Sequence, residues 1–238
     1  MLFNNELWKY DKIKKQLGAN KMKYKCLVLD HDDTVVRSTP TIHYPSFIEA
    51  MKELRPQMEP YTLEAFVTYC FKPGFHALCK EILQYTPQEM ERQQAIWRSY
   101  TGKYIPAFYD GFAELIRSFK EAGGFICVVS HSESERIYRD YDATMGIRPD
   151  AVFGWELEEE QRKPHPYPLE EIMRRFNLER HDLLMVDDLK PGLDMAQRCQ
   201  VDFACAGWSH IVPDIIEYMA KNSDFYFKQV KELSDLVL

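Results

Sequence analysis

Residues 26–34 read Cys-Leu-Val-Leu-Asp-His-Asp-Asp-Thr, an apolar run that ends abruptly in acids. The four apolar residues are typical of a strand buried on both faces of a parallel sheet. Asp30, Asp32 and Asp33 follow this run directly. In open parallel sheets the binding crevice lies beyond the carboxyl ends of the strands, so we expect these acids at a functional site.

Further short runs rich in β-branched and aromatic residues recur along the chain. Together with the first run they predict strands at 24–29, 125–129, 151–153, 183–186, 201–206 and 225–227. Helical periodicity separates most of these runs, and such alternation predicts a parallel sheet covered by helices on both faces. The expected fold is therefore α/β, with a Rossmann-like parallel sheet.

One interval, residues 41–106, breaks this alternation. It contains helical patterns only, separated by breakers such as Pro56, Pro60 and the pair Pro73-Gly74. We therefore predict an all-helical insert at 41–106, a core formed by 22–40 with 107–238, and a helical extension at 1–21.

The charge balance argues against several classes of partner. The 238 residues carry 30 Lys and Arg against 37 Asp and Glu, a net charge of −7, which disfavours a nucleic-acid partner. No apolar run reaches the roughly 18 residues of a membrane-spanning helix, so we expect no membrane partner. The six cysteines form no CxxC pair, and residues 1–20 lack the apolar stretch of a signal peptide. These features predict a cytoplasmic protein, monomeric or homodimeric.

A second acidic pair, Asp187-Asp188, follows the predicted strand at 183–186. Two acidic clusters at one edge of a sheet would repel each other strongly. A hard divalent cation with oxygen ligands, above all Mg²⁺, removes that repulsion. The sequence therefore predicts a magnesium site.

Two further strand ends carry groups suited to an anion. Ser130 and His131 follow the strand at 125–129, where a hydroxyl and the N–H groups of a helix N-terminus could hold a phosphate. Lys163 opens a Lys-Pro-His-Pro stretch between the third and fourth core strands. We expect its charge at the same edge of the sheet.

The ordered set Asp-x-Asp-x-Thr, Ser, Lys-Pro and Asp-Asp resembles the motifs of the haloacid dehalogenase-like superfamily. The resemblance runs from about residue 23 to the C-terminus, with the helical insert in the position of the family's type 1 cap. It implies that Asp30 is the nucleophile and Asp32 the acid/base, and it matches Ser130, Lys163 and Asp187-Asp188 to the later motifs. Asp33 stands where many relatives have glycine.

The resemblance implies a Mg²⁺-dependent phosphatase that hydrolyses a small phosphorylated metabolite through an aspartyl-phosphate on Asp30. The metal would be held by Asp30, the Asp32 backbone carbonyl and Asp188, with Asp187 either a direct ligand or a neighbour of one. Ser130, His131 and Lys163 would bind the phosphate, and Arg37 and His43 are possible substrate contacts.

Two alternatives stay open at this point. A phosphomutase of the β-phosphoglucomutase kind has the same four motifs and the same type of cap. A non-catalytic binding protein could also use this fold, although a nucleophile, a proton donor and a metal ligand together argue against it. A dehalogenase is disfavoured because a halide leaving group needs no proton from Asp32.

Overall fold

The structure is a computed structural model that describes residues 22–238, so the predicted extension at 1–21 lies outside the described residues. Six strands form one parallel sheet in the order β3-β2-β1-β4-β5-β6. They are β1 (Cys26–Leu29), β2 (Phe125–Val129), β3 (Ala151–Phe153), β4 (Leu183–Asp187), β5 (Asp202–Ala206) and β6 (Phe225–Phe227). The predicted Rossmann-like α/β fold is confirmed.

The described part of the chain also contains ten α-helices. They are α1 (Tyr44–Leu54), α2 (Leu63–Phe71), α3 (Phe75–Ala77), α4 (Pro87–Lys103), α5 (Phe112–Glu121), α6 (Ser134–Met145), α7 (Tyr167–Phe176), α8 (Lys190–Cys199), α9 (Pro213–Asn222) and α10 (Val230–Val237). Within residues 22–238, no helix has both the length and the apolar character needed to cross a bilayer.

The central strand β1 shows how the sheet is buried on both faces. Leu27 and Leu29 belong to an apolar cluster with residues of α5, α6 and α10. Cys26 and Val28 belong to a second cluster with residues of α7, α8 and α9. Because side chains alternate along a strand, each strand contributes to both layers, which explains the unbroken apolar runs in the sequence.

The helical insert has an apolar core of its own. The buried members of this core come from α1, α2 and the segment between α3 and α4: Phe47, Met51, Phe66, Leu78, Cys79, Leu83 and Tyr85. The Arg55 guanidinium ties this core to α4 through Glu89, at 2.6 Å between Nη1 and Oε1. The insert thus has buried residues separate from those of the sheet, and Val67 and Phe71 of α2 also pack against the sheet cluster of α7, α8 and α9.

The chain enters and leaves the insert at neighbouring points. Val36 and Phe108 form an antiparallel bridge, flanked by hydrogen bonds from Arg37 N–H to Ala107 O and from Tyr109 N–H to Val35 O. The turn before this bridge places Asp33 at φ 56°, in the left-handed region. Glycine has the least strain there and aspartate is among the better tolerated alternatives, which accounts for the departure from the family pattern.

We expect the separate core of the insert to unfold locally when it is damaged. Phe47→Ala removes a ring that is only 1% exposed, at a cost of about 3–5 kcal/mol. Hydrogen exchange should then show faster exchange in α1, α2 and α4, with β1 and β4 still protected. Ile82→Ala, at a side chain that is 40% exposed, is the matched control. Equal loss of protection in the sheet and the insert would contradict this view.

Candidate active site

The carboxyl ends of β1 and β4 bring three carboxylates together. Leu29 pairs with Val186 in the parallel ladder, and the Asp30 N–H donates to the Val186 carbonyl at 2.8 Å. Asp30 therefore lies level with the end of β4, where Asp187 and Asp188 follow each other. The three side chains offer oxygen atoms that all lie within 4.8 Å of one another.

One ammonium group joins two of these carboxylates. Lys163 Nζ lies 2.5 Å from Asp30 Oδ1 and 2.6 Å from Asp187 Oδ2. All three side chains are almost fully buried. Burial opposes the charge of Lys163, but the attraction of Asp187 and Asp30 outweighs it and raises the pKa of the lysine. Lys163 is thus held as a cation in contact with the predicted nucleophile.

The two acids at the end of β4 have different surroundings. Asp187 Oδ1 accepts a hydrogen bond from Leu189 N–H at 2.8 Å, while its Oδ2 faces Lys163. A Cβ atom on Gly192, in the first turn of α8, would lie 2.2 Å from that Oδ2. Both oxygens of the Asp187 carboxylate thus accept hydrogen bonds. By contrast, neither oxygen of the Asp188 carboxylate does so within residues 22–238.

The acidic cluster suits a divalent cation. Burial raises the pKa of both Asp187 and Asp188, and their negative neighbours add to this effect. The cluster holds the carboxylates of Asp30, Asp187 and Asp188. The Lys163 ammonium, which contacts two of them, does not balance all three, so negative charge is in excess. Carboxylate oxygens in such a cluster are the ligands that Mg²⁺ prefers, so the residues present fit the predicted metal.

Asp32 lies apart from this cluster and has two donors of its own. Ser132 Oγ donates to Asp32 Oδ2 at 2.5 Å, and His43 Nε2 lies 2.8 Å from Asp32 Oδ1. Burial opposes ionisation of Asp32, but His43, then His31 and the Ser132 hydroxyl, outweigh it and hold its pKa well below the usual range. His43 is therefore brought to the predicted acid/base. Arg37 is not, since its exposed guanidinium lies over the Tyr109 ring, 5.4 Å from the centroid.

The loop after β2 brings Ser130 to the same edge. Ser130 is buried, and its Oγ accepts a hydrogen bond from Ser132 N–H at 3.1 Å. Its own hydroxyl hydrogen can still be given to an anion. His131 lies beside it with an exposed ring, and His131 Nε2 is 2.9 Å from the Lys163 carbonyl. The geometry therefore assigns the His131 ring to holding the backbone of Lys163.

The ring of a second histidine, His210, contacts the backbone carbonyl of Asp188, as the ring of His131 contacts that of Lys163. His210 Nε2 lies 2.6 Å from the Asp188 carbonyl, and its Nδ1 lies 3.1 Å from the Tyr226 hydroxyl. A carbonyl only accepts, so Nε2 carries the hydrogen and the tyrosine donates to Nδ1. Burial lowers the pKa of His210, which favours this neutral ring. Sequence reasoning missed His210 because it lies four residues past the end of β5.

Comparison with known proteins places the chain in a family. A family model described as haloacid dehalogenase-like hydrolase matches residues 27–206, about three quarters of the sequence. The chain belongs to the haloacid dehalogenase-like hydrolase family. The resemblance drawn from the four motifs is thereby confirmed. A search of curated proteins gave no significant match.

Solved structures of this family share the fold. A predicted phosphoglycolate phosphatase from Haemophilus somnus superposes with a TM-score of 0.74 at 18% identity, covering 92% of this chain and 100% of that one. CbbY from Rhodobacter sphaeroides, solved in complex with phosphate, gives 0.66 at 16% identity, covering 88% and 96%. A haloacid dehalogenase-like hydrolase from Streptococcus pneumoniae gives 0.71 at 13%, covering 89% and 97%.

We expect position 192 to tolerate no side chain. Gly192→Ala would force a methyl group onto the buried Asp187 carboxylate and should cost roughly 1–3 kcal/mol of unfolding free energy. Urea unfolding measures this cost. Gly102→Ala is the matched control, since its added Cβ meets only Arg136 Nη2 at 3.7 Å. There alanine should stabilise α4 by up to about 1 kcal/mol. A Gly192→Ala protein as stable as the wild type would refute the close contact.

Proposed function

We propose that this protein is a Mg²⁺-dependent phosphatase that acts on a small phosphorylated metabolite through an aspartyl-phosphate on Asp30. The observation that supports this most is the separation of Asp30 from Asp32. Two residues apart at one strand end, they have different partners: Asp30 faces the ammonium of Lys163, and Asp32 faces Ser132 and His43. When two neighbouring carboxylates have such different partners, one of them can act as a nucleophile and the other can transfer protons.

The reaction then proceeds in two steps. Asp30 attacks phosphorus, an O–P bond forms, and the bond to the leaving oxygen breaks. Asp32 supplies the proton for that oxygen. Because the pKa of Asp32 is low in the free site, it must take up this proton as the anionic substrate binds beside it, since a nearby negative charge raises the pKa of a carboxyl group. In the second step Asp32 takes a proton from the attacking water, and hydrolysis of the aspartyl-phosphate releases inorganic phosphate. Lys163 and the Ser130 hydroxyl stabilise the charge on the remaining phosphoryl oxygens throughout.

The metal would be held by the Asp30 and Asp188 carboxylates with the backbone carbonyl of Asp32. Asp187, occupied by Leu189 N–H and Lys163, holds the lysine in place. When bound, Mg²⁺ neutralises the carboxylates and draws the negatively charged phosphoryl group towards the nucleophile. This assignment gives the unbonded carboxylate of Asp188 its function.

The helical insert would act as a cap over this site. A cavity lined by Asp32 on the core side and by His43, Trp97 and Thr101 on the insert side measures only ≈ 20 Å³. That is room for about one water molecule. A leaving group therefore enters only when the insert moves away, and closure would then exclude bulk water from the reacting atoms.

The phosphatase proposal is tested by phosphate release. We expect the wild type with Mg²⁺ to release phosphate from at least one member of a panel of phosphorylated metabolites, including 2-phosphoglycolate. Asp30→Asn and addition of EDTA should each abolish this release. Asp142→Asn, at an exposed carboxylate on α6 paired with Arg148, is the control that should retain full activity. Release that survives in Asp30→Asn, or silence of the folded wild type across the panel, would rule the proposal out.

Removal of the buried ammonium should slow turnover strongly. We expect Lys163→Met to lower kcat about 10²–10³-fold, the usual effect of losing one group that stabilises transition-state charge. Lys120→Met is the matched control, because Lys120 pairs with Asp150 at the surface, far from this cluster in the fold. A circular dichroism spectrum establishes that both variants fold. A loss of less than fivefold in folded Lys163→Met would contradict the role given to Lys163.

A further inference from the structure

The imidazole ring of His43 lies between an indole and a carboxylate. Trp97 Nε1 is 2.9 Å from His43 Nδ1, and His43 Nε2 is 2.8 Å from Asp32 Oδ1. The imidazole and indole planes differ by only 18°, with centroids 6.2 Å apart. The indole N–H therefore points along the plane of the imidazole, where the lone pair of Nδ1 lies.

This contact fixes the tautomer of His43. An indole nitrogen can only donate, so Nδ1 must be the acceptor and carries no hydrogen. Burial opposes a charge on His43, while the carboxylates of Asp32, Asp33 and Asp30 favour it and raise the pKa of the ring. A second proton would sit on Nδ1 and face the indole N–H. In the Trp97 contact the ring therefore carries one hydrogen, on Nε2, which points at Asp32 Oδ1. With the opposite tautomer two N–H groups would face each other at Trp97, and a lone pair would face the carboxylate at Asp32.

Both oxygens of Asp32 consequently have a defined donor. His43 donates to Oδ1 from the insert, and Ser132 donates to Oδ2 from the core. Two donors on opposite oxygens fix the plane of a carboxyl group, which a single donor would leave free to rotate. The orientation of Asp32 thus depends on a residue of the insert.

The contact between Trp97 and His43 lies within the insert, where α4 packs on α1 and on the segment Thr39–His43. Core residues hold α4 as well. Arg139 of α6 donates to the carbonyls of Thr101 and Tyr104, at 2.6 and 3.1 Å, at the C-terminal end of α4. Arg98, next to the tryptophan, pairs with Glu133 at 2.9 Å. These contacts hold the insert against the core with Trp97 and His43 at Asp32.

We propose that Trp97 is a positioning residue for the reaction, which sets the tautomer of His43 so that the docked insert presents a hydrogen-bond donor to Asp32. The proposal rests on the function proposed above, since it gives that function a device linking the position of the insert to the acid/base group. Trp97 itself touches no reacting atom in this scheme.

The tautomer can be measured without turnover. In protein labelled with ¹⁵N-histidine, the wild type should show His43 with a protonated Nε2 and an unprotonated Nδ1, the peak being assigned by its loss in His43→Asn. Trp97→Phe keeps an aromatic ring but removes the N–H, so the ring should become a mixture of both tautomers. Tyr100→Phe is the matched control on the same helix, since it removes only a hydrogen bond to Glu49. A hydrogen on Nδ1 in the wild type would overturn the proposal.

Two phosphate esters with different leaving groups distinguish a positioning role of Trp97 from a purely structural one. The 4-nitrophenolate of 4-nitrophenyl phosphate leaves without much help from an acid, whereas the phenolate of phenyl phosphate needs a proton. Because general acid catalysis contributes about 10²–10⁴-fold, we expect Trp97→Phe to lower kcat/KM for phenyl phosphate about tenfold more than for the nitrophenyl ester.

The outcomes of this comparison are distinct. Tyr100→Phe should leave the ratio of the two kcat/KM values unchanged. An equal loss on both esters in Trp97→Phe would show that the indole only supports the packing of the insert, and the proposal would be wrong. Silence of the wild type on both esters and on the metabolite panel counts against the phosphatase function. Silence on the esters alone leaves that function in place, and in either case the tautomer measurement decides the role of Trp97.

Discussion

The ammonium group of Lys163 lies between two carboxylates that end the central strands, and the rest of the site is arranged around this contact. Two buried acids cannot sit side by side without a cation, since desolvation and repulsion would drive them to take up protons. Removing one partner of a buried pair costs about 3–5 kcal/mol, so the close approach of Asp30 and Asp187 depends on the lysine between them. The lysine in turn depends on a loop that His131 holds through the Lys163 carbonyl.

The neighbouring carboxylates differ because their donors differ. The Asp187 carboxylate accepts from a backbone N–H and from the Lys163 ammonium. The Asp32 carboxylate has the Ser132 hydroxyl and the His43 imidazole as partners. The Asp188 carboxylate accepts no hydrogen bond within residues 22–238. Residues of one type at one sheet edge therefore acquire different chemistry from their surroundings. The same division separates the part of the site that would bind metal and phosphate from the part that would move protons, and the helical insert supplies a hydrogen-bond partner, His43, to the second.

The strands and the family could be predicted from the sequence because their signals are local. Apolar runs such as 26–29 and the acids behind them need no knowledge of distant contacts. The partners of those acids are different: His43, Trp97 and His210 reach the site from separate elements, and nothing in their immediate sequence indicates where a ring points. His131 illustrates the limit, since nothing in the sequence after β2 indicates that its ring lies against the Lys163 carbonyl.

The chain enters and leaves the insert at Val36 and Phe108, which are bridge partners, so the segment between them could be exchanged without moving its two ends. Residues paired across an antiparallel bridge are about 4.5–5.5 Å apart at Cα, a gap that a two-residue hairpin turn can span. The buried residues of the sheet and its two helical layers all come from outside the insert, which has buried residues of its own and adds only the partly buried Val67 and Phe71 to one sheet cluster. A minimal version of this protein, with the segment between these two residues exchanged for a short turn or for a foreign helical unit, thus becomes a rational scaffold for redesigning selectivity while the acidic cluster stays in place.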